Sequence, residues 1–485
     1  MRRAGLVAGI LAGMMLASSG GMAHAALPSA LGPRVSMAEP SRGYVGQLEV
    51  EPSHAPAGAS ITVAGSKLPP GQQLDLVWRT VTGSWKVDGE HYHGREFKPV
   101  AYRVTTVTTA ADGSFSTSFI VPEDFGIEHD IVVQQGDRLL TQTAFNLNMS
   151  LKLTPESGPP GTPIHVDVQG IGYRTYENSW TLVYDNSLAG WVSATTTSGS
   201  AHFTIPATGE PGPHLIRLVH ASMTFPYLNV EQSPVAGRDR PKAEFTVTRG
   251  AAILPPPTAS QQLTAIRTLP EPGAIEVVPA FSGIKASVTA TADKLTPGIR
   301  YELQWGTVVG NRVSGTGWSE RFSLLATAAA DRDGKAVFHF AVPDDLGGPH
   351  TLRIGEGDSA QEGSYWITTT ALPLSVDHGP AGTPFTVHLK GGGWTETSNV
   401  YLVNYDNAYL GYVCAFNSQG DITLNMIASG APGWHFIDLY PGIYKGDETS
   451  PNDYRLPQLT YAADHPGEDL PAFHFAFQVT AQDEH

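Results

Sequence analysis

The chain repeats itself. Setting Asp185 on Asp406 gives an offset of 221 residues. The same offset, without a gap, matches Gly158-Pro159 to Gly379-Pro380, Gly161-Thr162-Pro163 to Gly382-Thr383-Pro384, Gly190 to Gly411 and His214 to His435. Upstream it matches Val121-Pro122-Glu123-Asp124 to Val342-Pro343-Asp344-Asp345 and His129 to His350. Further back the offset becomes 227, placing Glu49-Val50 on Glu276-Val277 and Trp78 on Trp305, so the first copy holds six extra residues between Trp78 and Asp112. Self-similarity over this length records a duplication, and any fold must be one that can be built twice in tandem. The order reads A1-B1-A2-B2.

Each unit reads as a small β-sandwich. Ile164, Val166 and Val168 alternate with His165, Asp167 and Gln169. That is the period of a strand with one buried face. Ile61 and Val63 do the same in A1. The chain carries 52 Gly and 37 Pro among many Val, Thr, Tyr and Ile, a composition that suits short strands and frequent turns. Asp112-Gly113 and Asp333-Gly334 each separate two strand-like runs and predict hairpins. No long helical period follows the N-terminus. These features predict an all-β chain of four Ig-like antiparallel sandwiches in an ABAB tandem duplication.

One family resemblance follows from the B-unit openings. "TPESGPPGTPIHVDVQGIGY", residues 154–173, and "VDHGPAGTPFTVHLKGGGW", residues 376–394, resemble the first strands of bacterial IPT/TIG-type Ig-like domains. Both keep the Gly-Pro-x-Gly-Thr start, the alternation and a Gly-x-Gly-aromatic end. The A units carry a worn form, "EPSHAPAGASITVAGSKL". The resemblance implies a sandwich fold and a spacer, adhesion or accessory binding role.

Composition shifts place the boundaries. Residues 1–25 read as a signal peptide, 26–46 as a loose N-terminal segment, 47–148 as A1, 149–248 as B1, 249–273 as a Pro-rich linker, 274–371 as A2 and 372–485 as B2. The leader pattern is Arg2-Arg3, an apolar run from Ala4 to Ala17, then Ala23-His24-Ala25 with cleavage after Ala25. It predicts a secreted or periplasmic chain with no membrane insertion. The formal charge is −16, or −18 once Arg2 and Arg3 leave with the leader. Such a chain repels nucleic acid and anionic lipid. Cys414 is the only cysteine, so no intramolecular disulfide can form, and it reads as a buried thiol.

Three groups of residues bear on function. The first is the repeated Tyr-Asp-Asn stretch: Tyr184, Asp185, Asn186 and Trp191 in B1, and Tyr405, Asp406, Asn407 and Tyr412 in B2. Asp and Asn favour turns because their side chains bond nearby backbone amides and tolerate left-handed backbone. The weighting favours a hairpin turn with core aromatics. The alternative is a sugar platform, with aromatic faces under the ring and amide and carboxylate partners for hydroxyls. The second group is Asp88, Glu90, His91 and His93, in the stretch holding the six extra residues. Two imidazoles and a carboxylate suit Zn²⁺ or Cu²⁺, and the competing reading is a solvated loop. The third is His129, His214, His350 and His435, each after a Gly- or Pro-containing turn and before an apolar strand. They predict a strand-entry role in which the ring bonds a turn carbonyl.

No nucleophile elbow, zincin, Cys-x-x-Cys or phosphate-loop motif occurs. The expectation is a non-enzymatic binding, scaffold or adhesion protein without cofactor. Its partner would be a cell-envelope protein or, in the alternative, an extracellular polysaccharide held by B-unit aromatics. A periplasmic metal-binding protein using His91 and His93 is the third reading.

Overall fold

The structure is a computed structural model describing residues 31–39, 43–175, 177–222, 225–229, 232, 240–311, 317–415, 418–444 and 455–481. The leader and its cleavage point lie outside the described residues. The chain folds into all-β Ig-like sandwiches, with no α-helix among the described residues. None of those residues forms a helix long and apolar enough to cross a membrane.

The alternation seen in sequence becomes burial. In Pro163–Gln169, Ile164, Val166 and Val168 are fully buried while Pro163 and His165 are exposed. A strand with one apolar face must cover it with a second sheet. Each unit does so with a three-stranded sheet packed on one of five or six strands. In A1 the small sheet is Gln47–Glu51, Ser60–Ser66 and Phe115–Ile120. In B2 it is Thr370–Ala371, Pro384–Lys390 and Ile422–Ile427. In all four units a short stretch after the first strand crosses to the large sheet and runs parallel to its last strand. His54–Pro56 lies along Arg138–Asn148, Ser157–Gly158 along Lys242–Val247, Phe281–Ser282 along Gln361–Ile367, and His378–Pro380 along Phe473–Thr480.

The A cores centre on Trp78 and Trp305. Each buried indole donates to a carboxylate at 2.8 Å, Asp124 and Asp345 respectively. A buried indole N–H needs such a partner. Burial pushes the Asp124 carboxyl above its ordinary range, against the pull of His129 and the donors around it.

All four strand-entry histidines bond the carbonyl four residues upstream through Nε2: His129 to Phe125, His214 to Glu210, His350 to Leu346 and His435 to Ala431. Each Nδ1 also faces an acceptor: the Arg79 or Gly306 carbonyl in the A units, Asp185 or Asp406 in the B units.

Two expectations need correction. The Asp-Gly turns are not hairpins. Residues 111–113 join His91–Thr108 of the large sheet to Phe115–Ile120 of the small one, and residues 332–334 do the same in A2. The turn is self-sufficient, since Asp112 Oδ1 accepts from Ser114 N–H and Gly113 takes a φ of 77°, so it forms whether or not its flanks pair. The described part of the N-terminal segment is not loose. Arg34–Val35 pairs with Tyr102 and Ala101, and Ala38 is buried against Val77, Val132 and Leu139. The Pro-rich linker, for its part, is held against B2. Gln261 exchanges hydrogen bonds with the His474 backbone at 2.7 and 2.8 Å, and Arg267 grips Asp469 through its backbone N–H and guanidinium.

Each A unit is fused to its B unit through paired glycines. Gly126 N–H donates to Ile171 O at 3.0 Å, and Gly347 N–H to Gly392 O at 2.9 Å. A Cβ on Gly126 would overlap the Gly170 carbonyl, and one on Gly347 the Gly391 carbonyl. Gly126→Ala is therefore expected to pry A1 from B1 at a cost of roughly 1–3 kcal/mol. Small-angle scattering should show a larger radius of gyration. An unchanged profile and melting temperature would count against a tight junction.

Candidate functional site: the junction of A1, B1 and B2

The repeated Tyr-Asp-Asn stretches are two-residue hairpin turns. They join Trp180–Tyr184 to Ser187–Val192 and Val400–Tyr405 to Ala408–Cys414. Asp185, Asp406 and Asn407 take φ values of 52°, 50° and 60°, left-handed backbone that Asn and Asp tolerate. Both carboxylates are engaged by donors of their own unit. Asp185 accepts from Leu215 N–H at 2.9 Å and His214 at 2.8 Å, and Asp406 from Phe436 N–H at 2.9 Å and His435 at 2.5 Å. The bond from Asp406 raises the His435 pKa above its ordinary value, against the pull of burial. Tyr184 and Tyr405 donate to the Thr208 and Ser429 carbonyls. Tyr184 and Trp191 are 3% exposed, so neither presents a face to a sugar. Asn186 is exposed at its turn.

The same letters do different work in the second copy. Asn407 is fully buried, and its Nδ2 crosses to B1, donating to the Pro206 carbonyl at 2.8 Å and Thr208 Oγ1 at 3.1 Å. Asn404 also crosses, donating to the Ala189 carbonyl at 2.7 Å. These two amides tie the turn end of the B2 hairpin to B1.

The A1 hairpin carrying Asp88, Glu90, His91 and His93 inserts into this junction. Gln73–Asp88 pairs with His91–Thr108 along its whole length, and Tyr92 near its tip is fully buried against Trp191, Ile443 and Leu456. Tyr92 N–H donates to Glu396 of B2 at 2.9 Å. His91 lies 3.5 Å from Glu396 and 3.7 Å from Glu90, Asp88 is exposed, and His93 is half-buried. Among the described residues no three His, Cys, Asp or Glu side chains gather as a metal would require. Arg95 reaches B1 instead, donating to Asn178 O at 2.8 Å with its guanidinium 5.5 Å from the Trp191 ring centre. Cys414 is half-buried, not sealed in the core.

The centre of the junction went unread in the sequence. Between Gly433–Pro441 and Phe473–Thr480, B2 inserts a long excursion. His214 pairs with Phe245 but His435 with Phe477, so the offset between copies grows from 221 to 232 residues. That jump was the available signal. Within the excursion, Pro457 and Leu459 seat against the edge strand of B1: Trp191 N–H donates to Pro457 O at 2.6 Å and Leu459 N–H to Trp191 O at 2.9 Å. Gly190 permits the approach, because a Cβ there would lie 2.5 Å from Pro457 O. Tyr440 and Leu459 fill the gap between the B1 sheets. Asp464 then ties three units together. Its buried carboxylate accepts from Thr195 N–H at 2.7 Å, Thr196 N–H at 3.0 Å, Thr196 Oγ1 at 2.8 Å and Trp85 Nε1–H at 2.9 Å.

An open concavity lies beside this junction. A groove of about 420 Å³ runs along B2 between Ala408–Cys414 and Ile422–Ile427, lined by Leu410, Tyr412, Leu424, Met426 and Ile427 among others. Leu410, Tyr412 and Ile427 are 60%, 44% and 64% exposed.

No family model and no curated protein matches the chain, so the likeness to IPT/TIG-type domains rests on the residues quoted above. Solved structures that resemble it include a Salmonella α2-macroglobulin mutant, with 11% identity over 88% of this chain and 30% of that one and a TM-score of 0.18. Another is the ICAM-5 D1–D4 ectodomain fragment, with 11% identity over 90% and 99% and a TM-score of 0.17. A third is the native conformation of E. coli α2-macroglobulin, with 11% identity over 93% and 32% and a TM-score of 0.17. The chain spans about a third of the length of the two macroglobulins.

Proposed function

We propose that the chain is an exported, non-enzymatic binding or scaffolding protein that presents a rigid β surface to a protein of the cell envelope. The observation that carries this reading is where the polar groups go. Asp185 and Asp406 bond within their own units, while Asn407, Glu396 and Asp464 bond across unit boundaries and weld the units together. The open groove on B2 is lined mainly by aliphatic and aromatic side chains. Exposed apolar patches and grooves mark interaction sites, protein contacts among them. The Arg2 to Ala25 leader pattern supports export.

A second reading rests on one surface feature. Tyr412 lies 6.3 Å from Tyr444, and the Arg455 guanidinium lies 5.4 Å from the Tyr412 ring centre. That group would suit an extracellular polysaccharide. The deciding experiment is retention from a native cell-envelope fraction on the immobilised chain lacking residues 1–25, followed by mass spectrometry and sugar analysis. A specific protein supports the scaffold reading. Polysaccharide alone, lost on Tyr412→Ala with the fold intact, overturns it in favour of the second.

A further inference from the structure

The duplication supplies an internal comparison. Ser187–Val192 in B1 and Ala408–Cys414 in B2 are the same outer strand of the same sheet, at the same offset. In B1 that edge is occupied: the Trp191 N–H and C=O are taken by Pro457 and Leu459, and Leu459 and Tyr440 close the gap between the sheets. In B2 the counterpart of Trp191 is Tyr412, and its outward backbone groups have no partner among the described residues. The counterpart of Gly190 is Gly411. A Cβ on Gly190 would strike Pro457 and Leu459, whereas one on Gly411 meets no described atom within 4 Å. The gap that Leu459 fills in B1 is, in B2, the groove under Leu410 and Ile427.

We infer that this edge of B2 is an acceptor for an extended segment of a partner protein, added as a strand in the way residues 457–459 add to B1. An unpaired edge offers main-chain hydrogen bonds, and alternate side chains of the incoming strand enter the neighbouring pocket. The occupant is an uncharged stretch with apolar residues two apart, matching Pro457 and Leu459. None of the groove-lining residues is charged, so a charged side chain entering it would lose its hydration without a partner. A second copy of this chain is the poorer fit, because its own residues 457–459 are already seated on its own B1. The inference rests on the binding reading above only in taking the partner to be a protein.

The test uses the intact chain and a labelled peptide of residues 456–462, "LPQLTYA", followed by fluorescence anisotropy. Saturable binding is expected. Leu410→Asp and Ile427→Asp, both at exposed positions, should each weaken it about tenfold or more without moving the melting temperature. A peptide with Asp in place of Leu459 should not bind. No saturable binding to the unaltered chain would overturn the inference. So would binding unchanged by Leu410→Asp, which would place the peptide on B1. Self-association seen by ultracentrifugation and abolished by Leu410→Asp would overturn it in favour of a second copy. If the peptide fails while the envelope fraction still yields a specific protein, the binding reading survives and this surface does not.

Discussion

Asp464→Ala is expected to uncouple A1, B1 and B2 while leaving each sandwich folded. The substitution strips the acceptor from two backbone amides, one indole N–H and one hydroxyl, in a region where Asp464 is 1% exposed. Leaving buried donors unpaired costs about 1–3 kcal/mol each, and the terms overlap, so roughly 3–6 kcal/mol of junction energy is at stake. Among the described residues the main B1, B2 and A1 cores are separate clusters, bridged by Tyr440, Leu459 and Ala472 and by the small junction cluster of Tyr92, Trp191, Ile443 and Leu456. The loss should therefore fall on the contacts between units. Calorimetry should show one broad cooperative transition resolving into several. Proteolysis within residues 442–472 should accelerate at least tenfold, because cleavage follows the population of the opened state. Asp464→Asn, which keeps one acceptor oxygen, should fall between. A variant that melts as a single transition within a degree of the parent would remove Asp464 from this role.

The fold was legible where the physics is local or repeated. Ile164, Val166 and Val168 announce a one-sided strand by period alone, and the 221-residue offset doubles every such signal. The histidine role was legible for the same reason, because it occurs four times at one place in the unit. The junction was not. Trp85 meets Asp464 across 379 residues, and Trp191 meets Pro457 and Leu459 through a connection that is longer in the second copy. Nothing local marks such a contact. Asn186 and Asn407 make the limit plain. They are the same residue at the same turn, yet one is exposed and the other is sealed against Pro206. What differs is the surface opposite, and a strand pattern does not encode that. The Asp-Gly turns failed differently: the turn chemistry was read correctly, but whether its flanks pair depends on which sheet each strand joins.

Glu468→Gln is expected to remove a fall in stability as pH rises above neutrality. Glu468 sits in the excursion where it packs on A2 and B2, with Tyr461 donating to its carbonyl at 2.7 Å. The residue as a whole is half-buried, yet its carboxyl end is shut away: Oε2 is sealed from solvent without a hydrogen-bond partner. A Cβ on Gly348 would come within 3.0 Å of that oxygen, so the space is full. Burial pushes the carboxyl up to about 8, against a smaller opposing pull from Ser398. The folded chain therefore holds a proton that the unfolded chain releases near its ordinary value of 4.5. Between those two values the folded state binds more protons, so stability falls as pH rises, at about 1.4 kcal/mol per unit for a full proton. His465, nearby, works in the other window. Burial lowers its pKa from 6.5, so it costs stability below that pH and little above it. His435, held up by Asp406, loses stabilisation on the alkaline side but is untouched by the substitution. The clean interval for Glu468 is thus pH 6.5 to 8. Across it the gap between Glu468→Gln and the parent should widen by roughly 2 kcal/mol, then level off. Urea unfolding at pH 6.5, 7.5, 8.5 and 9 measures it directly. Parallel curves for the two proteins would mean that the carboxyl is ionised in the folded chain at neutral pH, and that water reaches it.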